Sequence, residues 1–575
     1  MFFQKVPFLI ELLFNGAYIL LYSLYDNNKL PSNWDPVVVY RVMDTMVWFV
    51  PLILLFIMVV NYLSVKGFEE FIRKYVFSLV IFIPMIVTWG DMEFSFWLAS
   101  VHLLSSLLAL YDMGTIGKKK ELSSNYYLTL IDRLKLQPAQ FVLISFAIVI
   151  FFGAFLLKLP VASATGQSIS LIDAIFMATS ATCVTGLSTI SVIDNFSLFG
   201  QIVILVLIQV GGLGIMTLQS SMTILLGRSM GVKDRLVMQD LLDISSMEDL
   251  VNMVFDILKY TLIIELWGGI LLTIGFTFEG FEFGKALYLG FFHSISAFCN
   301  AGFSLFNNSL ESFSTNSLIH GTVAFLIILG GLGFIVLREL KWAMINRKGP
   351  SHFSLHAKIV LLFTIILLVA GTLIIFLGEY LNGLDNYTLW GKLQVAFFQS
   401  ATLRTAGFNT IPLTNFHTHT IYLMSLFMFV GACPGSTAGG IKVSTFAILI
   451  QSIRATLKGS NKVEFFDRAI PNYMVVRATA LTIISIMAVS FFVFLMMKIE
   501  PEQNYLPIFF EVVSAFGTVG LSLGLTSYLS AAGKLVIVFI MFMGRVGPMT
   551  MVLAIGQRQP LGAKLDYPEG RIIIG

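Results

Sequence analysis

Apolar residues run almost without interruption through 139–157, 198–226, 322–337, 359–377, 478–497 and 534–555. Each run approaches or reaches the roughly 20 residues a helix needs to cross a bilayer, and so many runs exceed what one soluble core can bury. Upstream, apolar stretches near 6–23, 37–63, 75–90 and 95–112 predict four further membrane helices. The first of these follows Lys5 without a small-residue cleavage site, so it reads as a membrane helix and not as a removable leader. Between the downstream runs lie short amphiphilic segments, such as 171–182 and 506–516, too brief to span and therefore read as re-entrant half-helices. The predicted fold class is an all-α integral membrane protein.

The half-helices share one pattern: a Phe, small residues four and five positions later, and a Gly ten positions after the Phe. It occurs as Phe176, Ser180, Ala181 and Gly186; Phe292, Ser296, Ala297 and Gly302; Phe397, Ala401, Thr402 and Gly407; and Phe510, Ser514, Ala515 and Gly520. The glycines recur at intervals of 116, 105 and 113 residues, which is self-similarity within one chain. Each copy places a long apolar helix before the half-helix, then a Gly-containing turn and a second long helix. Backbone exposed after a half-helix is tolerated at membrane depth only where it lines a water-filled cavity or is buried in protein. Four such turns about one axis predict a pore. Small residues in one segment would equally fit a close helix contact; four copies in register, each with polar residues at the turn, argue against that explanation.

The turns are Cys183-Val184-Thr185-Gly186, Cys299-Asn300-Ala301-Gly302, Arg404-Thr405-Ala406-Gly407 and Gly517-Thr518-Val519-Gly520. They contain no ring of carboxylates, so an ion there has to be held mainly by carbonyl oxygens, which replace the hydration shell of a weakly hydrated monovalent cation. Gly permits the backbone angles that aim such carbonyls. Each half-helix also points its carboxyl end, worth roughly half a negative charge, at the turn.

Composition agrees: of 575 residues 57% are hydrophobic and 12% charged, with a mean hydropathy of +0.86, outside the soluble globular range. The net charge of +3 is dispersed and not interleaved with aromatics in a basic tract, which gives no support to nucleic-acid binding. Cys183, Cys299 and Cys433 have neither zinc-site nor disulfide-framework spacing, and no catalytic constellation stands out, so an enzyme is not expected. Cationic residues cluster in alternate loops: Lys118, Lys119, Lys120, Arg133 and Lys135; Arg228, Lys233 and Arg235; Arg338, Lys341, Arg347, Lys348 and Lys358; Arg454, Lys458, Lys462 and Arg468. By the positive-inside rule both termini face the cytosol. The expected organisation is extra helices over 1–113, a cytosolic linker over 114–138, repeats over 139–227, 248–345, 353–458 and 471–556, and a cytosolic tail over 557–575.

In the third repeat the second helix is interrupted by Gly431-Ala432-Cys433-Pro434-Gly435-Ser436-Thr437-Ala438-Gly439-Gly440, where Pro and Gly cannot sustain helical hydrogen bonding. The flanks 421–430 and 443–450 are each too short to span alone, which favours a plug or gate over an ordinary loop. Arg545 falls within the last apolar run. A mid-membrane Arg costs about 2.5–3.5 kcal/mol, so it should face the pore or a partner unless it snorkels to the membrane edge. Glu265 and Glu511 are intramembrane carboxylates for which structural pairing is the commoner explanation. His293, Gln399 and Arg404 are expected to brace the turns by hydrogen bonds.

From about residue 137 onward the four turn motifs, with Asp566-Tyr567-Pro568-Glu569-Gly570 near the end, resemble the Trk/Ktr/HKT superfamily of potassium transporters, most closely the bacterial KtrB or TrkH type. The resemblance implies four pseudo-repeats around one pore per chain, a homodimer in the plasma membrane, and a cytosolic nucleotide-binding regulatory subunit of the RCK type. No strand, Gly-rich turn and helix unit for such a domain occurs in this chain, so it would be a separate polypeptide. The resemblance also assigns residues 435–440 to an intramembrane gating loop and makes Arg545 a barrier beside it. It associates Gly at all four filter positions with potassium selectivity, and Ser at the first with sodium permeation. Two features depart from the pattern: Cys183 stands where a small or hydroxylated residue is more usual, and residues 1–113 exceed what the family requires. The expected cargo is potassium, with no cofactor in the chain. Sodium is the alternative cargo, or a coupling or activating ion. A secondary transporter of an organic solute, and a sensor or enzyme built on 1–113, are the rival readings.

Overall fold

A computed structural model describes residues 2–26, 30–31, 34–63, 90–92, 95–103, 138–214, 247–460, 462–548 and 550–551. Residues 75–89 of the expected helix at 75–90, residues 104–112 of that at 95–112, the linker up to residue 137, the end of the first repeat and the 557–575 tail lie outside the described residues. The chain divides into two compact units, residues 1–136 with 223–229, and residues 137–222 with 230–575.

In the first unit, α1 (Phe2–Asp26) and α2 (Pro36–Leu63) form over the first two apolar stretches, and residues 95–103 are helical. Their apolar faces meet through Tyr18, Met43, Val47, Leu54 and Ala99. Glu11 and His102, both buried, approach to 2.5 Å, which spares each the cost of an unpaired buried charge.

In the second unit each long described helix is followed along the chain by shorter ones. α3 (Pro138–Lys158), α4 (Leu171–Thr182) and α5 (Leu198–Leu213) come first. Next are α6 (Met247–Phe278), α7 (Phe283–Phe298), α8 (Ser317–Leu332) and α9 (Phe334–Asn346). Then follow α10 (Leu355–Glu379), α11 (Leu389–Thr402), α12 (Thr418–Phe429) and α13 (Val443–Leu457). Last come α14 (Asn472–Ile499), α15 (Tyr505–Gly517) and α16 (Ala531–Val546). The half-helices α4, α7, α11 and α15 have 12, 16, 14 and 13 residues, a rise of about 18–24 Å, short of the ~30 Å hydrocarbon core. Side chains satisfy their leading N–H groups where they can: Ser170 accepts from Asp173 and Thr388 from Gly391.

Four helices among the described residues are long and apolar enough to cross a membrane, five if α8 and α9 count as one span bent by 106°. That bend is a second interrupted helix, additional to the one expected in the third repeat. It falls at Gly333, whose φ of +85° ends the α-helical path inside a run that is otherwise uniformly apolar. The strands β1 (Glu464–Phe465) and β2 (Arg468–Ala469) pair antiparallel through the left-handed Phe466 and Asp467, a small exception to the helical class.

Lipid tails are as apolar as Leu, so these helices gain from close packing of small residues and not from hydrophobic exclusion. Gly211, Gly330 and Gly544 on the second helices lie directly against carbonyls at the ends of the half-helices, those of Thr182, Phe298 and Phe516. Any side chain there would push the half-helix away.

Candidate ion-binding site

Each half-helix ends in a turn with the same backbone. Val184, Asn300, Thr405 and Thr518 take left-handed φ values of 56°, 59°, 70° and 51°, and the glycines two residues later take 93°, 70°, 78° and 89°. The residues between, Thr185, Ala301, Ala406 and Val519, are not left-handed. Alternating hands turn successive carbonyls toward one side of the strand, at a cost of roughly 1–2 kcal/mol for each L residue in the left-handed region.

The glycines lie side by side in cyclic order. A Cβ built on Gly186 comes within 2.5 Å of the Ala301 carbonyl oxygen and 3.1 Å of Gly302 Cα. On Gly302 it comes within 2.7 Å of the Ala406 oxygen and 2.9 Å of Gly407 Cα, and on Gly407 within 2.6 Å of the Val519 oxygen and 3.2 Å of Gly520 Cα. On Gly520 it meets the Thr185 oxygen, with Gly186 Cα at 3.1 Å, so the sequence of neighbours returns to its start. The ring has no room for a side chain at any of its four corners. Between the first and fourth copies a further tie runs from Lys534 Nζ to Asp173 Oδ1 at 2.8 Å.

Hydroxyls brace the turns. The N–H groups of Gly186 and Gly520 donate to Ser180 Oγ and Ser514 Oγ, each at 3.1 Å, and Ser296 Oγ donates to the Phe303 carbonyl at 2.8 Å. The sequence pattern contained these serines but read them only as small. The third turn differs: Ala401 stands in the serine position, and Phe397 is 39% exposed while its neighbour Phe398 is buried. The Phe-to-Gly spacing is thus out by one residue there.

The intramembrane polar residues divide. His293 Nδ1 donates to the Leu289 carbonyl at 2.8 Å, while its Nε2 accepts from Ser304 Oγ at 3.0 Å and from the Leu305 N–H at 3.4 Å. It thereby holds the chain just past the second turn. Arg404 donates to Thr364 Oγ1 on α10 at 3.3 Å. Gln399, expected to brace its turn, is buried with neither amide atom hydrogen-bonded. Glu511 accepts from Ser522 Oγ at 2.7 Å and from Thr526 Oγ1, both beyond the fourth turn. Glu265 accepts from Gln209 Nε2 at 3.3 Å. The hydroxyls of Thr185, Thr405 and Thr518 are buried and hydrogen-bond to no protein group.

Residues 431–440 cross beside the fourth turn: Gly439 abuts the Thr518 side chain, and a Cβ on Gly440 would lie 3.3 Å from Gly517 Cα. The base of the loop is closed by Gly431 N–H to the Ile441 carbonyl at 2.8 Å and Val443 N–H to the Ala432 carbonyl at 3.0 Å. It docks on the bend between α8 and α9, where Cys433 N–H donates to the Gly331 carbonyl at 3.0 Å and Phe334 N–H to the Gly435 carbonyl at 3.1 Å. Ser436 Oγ donates to the Cys433 carbonyl at 2.6 Å. Lys442 Nζ donates to the Ala438 carbonyl at 2.7 Å. The Arg545 guanidinium donates to the carbonyls of Thr437 and Gly211, linking the loop to α5, so it has partners and does not snorkel. Lys442 and the Gly333 bend were not singled out in the sequence, although a Lys between a Gly-rich stretch and an apolar helix was a readable signal.

The TrkH family, described as cation transport protein, matches residues 138–563. The chain is 37% identical over 447 residues to Ktr system potassium uptake protein B of Bacillus subtilis, covering 77% of this chain and 98% of that protein. It is also 37% identical over 449 residues to potassium/sodium uptake protein NtpJ of Enterococcus hirae, with the same coverage of 77% and 98%. Among solved structures, the potassium transporter TrkH from Vibrio parahaemolyticus shares the fold at a TM-score of 0.57 and 17% identity, over 90% of this chain and 97% of that one. The chain is therefore a multi-pass membrane protein belonging to the TrkH family of cation transport proteins, within the Trk/Ktr superfamily.

Proposed function

We propose that this protein takes up potassium across the plasma membrane through one pore, formed by four helix, half-helix, helix repeats and gated by the loop at 435–440. The observation that carries the reading is the closed ring of Gly186, Gly302, Gly407 and Gly520, with a left-handed residue two positions before each glycine. In this reading the carbonyls of residues 183–186, 299–302, 405–407 and 517–520 take the place of water around the ion, and the hydroxyls of Thr185, Thr405 and Thr518, buried without a protein partner, add polar groups to the turns. Convergent half-helix carboxyl ends favour a cation. The loop closes the path below the ring, and Arg545 adds a positive barrier to it.

Relatives named as potassium uptake proteins support the cargo, and a relative named for both potassium and sodium supports sodium as the second reading. The word system in the name of the Bacillus subtilis relative supports a multi-component assembly. We take this to be a homodimer with a separate nucleotide-binding regulatory subunit of the RCK type, the termini of the membrane chain lying in the cytosol and extra helices occupying 1–113.

Reconstituted protein is expected to load proteoliposomes with potassium faster than with sodium, and expression should restore growth of potassium-uptake-deficient cells at low external potassium. Equal fluxes of the two ions would favour the second reading. No potassium flux with any nucleotide or regulatory partner would sink both.

A further inference from the structure

The four turns are alike in backbone, but the groups behind them are not. Arg404 begins the third turn and reaches Thr364, while Cys183 and Gly517 begin the first and fourth without a charged hydrogen-bond partner among the described residues. Cys299, which begins the second turn, is fully buried with its sulfur clamped from two sides. Its Sγ lies 3.9 Å from Glu265 Oε1 on α6 and 3.6 Å from Gln209 Oε1 on α5. The other oxygen of Glu265 meets Gln209 Nε2 at 3.3 Å, closing a three-membered polar cluster. Gly212 on α5 presses on the same sulfur, and a Cβ there would come within 2.6 Å of it. The Glu265 backbone is fixed as well, because Ser294 Oγ on the half-helix donates to its carbonyl at 2.7 Å.

A carboxyl group only 5% exposed in an apolar helix is costly to keep, and its hydrogen-bonding partners are the start of the second turn and the second helix of the first repeat. We propose that Glu265 is a positioning residue of the ion site: through Cys299 and Gln209 it holds the second turn at its distance from the pore axis, and so sets the preference for potassium over sodium. The inference rests on the transport reading above. Selectivity depends on how many carbonyls surround the ion and how firmly they are held, so a loosened second turn can contract onto the smaller ion.

The test compares potassium and sodium uptake by full-length wild type, Glu265→Ala, Glu265→Gln, Cys299→Ala, Cys299→Ser and the double alanine variant in proteoliposomes, at matched protein content. Each alanine variant is expected to lower the potassium-to-sodium ratio by about fivefold or more. Cys299→Ser, which keeps a donor toward Glu265 and Gln209, should stay within about twofold of wild type, while Glu265→Gln, whose NH2 replaces one of the two accepting oxygens, should fall between wild type and the alanine variants. The double variant should be no worse than the singles, as coupled groups are non-additive. If Glu265→Ala does not insert stably, Cys299→Ala against Cys299→Ser decides alone. A wild-type ratio in the alanine variants, or additive losses, overturns the inference while leaving transport intact. Absence of wild-type flux overturns the transport reading instead.

Discussion

At Gly186 the space a side chain would need is already taken by the Ala301 carbonyl. A Ser there must both hold φ near +93° and displace that oxygen, so Gly186→Ser is expected to raise sodium uptake relative to potassium by about tenfold. Paired isotope fluxes measure this, and an unchanged ratio contradicts the role. The serines six positions before the first and last glycines act on the same backbone from behind. Ser180→Ala combined with Ser514→Ala removes two hydrogen bonds of about 1 kcal/mol each, and should lower potassium selectivity with normal membrane insertion, read by flux and by yield. The glycines were legible because a left-handed corner favours glycine. Of the left-handed residues two positions earlier only Asn300 is of a type that favours that region; Val184, Thr405 and Thr518 were not legible as left-handed, since the conformation is imposed on β-branched residues by the packing around them. Gln399 misled for a related reason: polarity marks a residue as in need of a partner but does not supply one.

Among the elements, the interruption at 431–440 could be read because Pro434 and several glycines fall together in an apolar stretch, whereas the bend at Gly333 is marked only by Gly330, Gly331 and Gly333, with no proline, in an apolar run. Both breaks serve one contact, the loop lying on the bend through Cys433 and Gly435. Arg545 ties that loop to α5, so Arg545→Gln should free it and raise unstimulated potassium flux several-fold, measured in proteoliposomes without nucleotide or partner. Flux at or below the wild-type level would argue against a barrier role. The third half-helix illustrates another limit of pattern reading: Phe397 kept the spacing, yet Phe398 is the ring that packs inside. Adjacent identical residues leave a helix free to choose its register by packing.

For the whole molecule, the all-helical membrane class was legible in the apolar runs and their lengths, while the tie from Lys534 to Asp173, far apart in the chain, has no local signature. Residues 1–136 of the first unit lie outside the residues the family matches. Relatives that share 77% of this chain are themselves matched over 98% of their length, so residues 138 onward are expected to carry transport alone. A chain lacking residues 1–113 should retain at least about half of the wild-type potassium flux per inserted protein, and complete loss would assign that unit a part in conduction. The central claim concerns where the ion sits. Soaking the purified protein with thallium, a heavy stand-in for potassium, and locating it by anomalous scattering tests that claim most directly. The account predicts density on the axis enclosed by the carbonyls of Thr185, Ala301, Ala406 and Val519. Density elsewhere, or an axis left empty at saturating thallium while transport is intact, would contradict it.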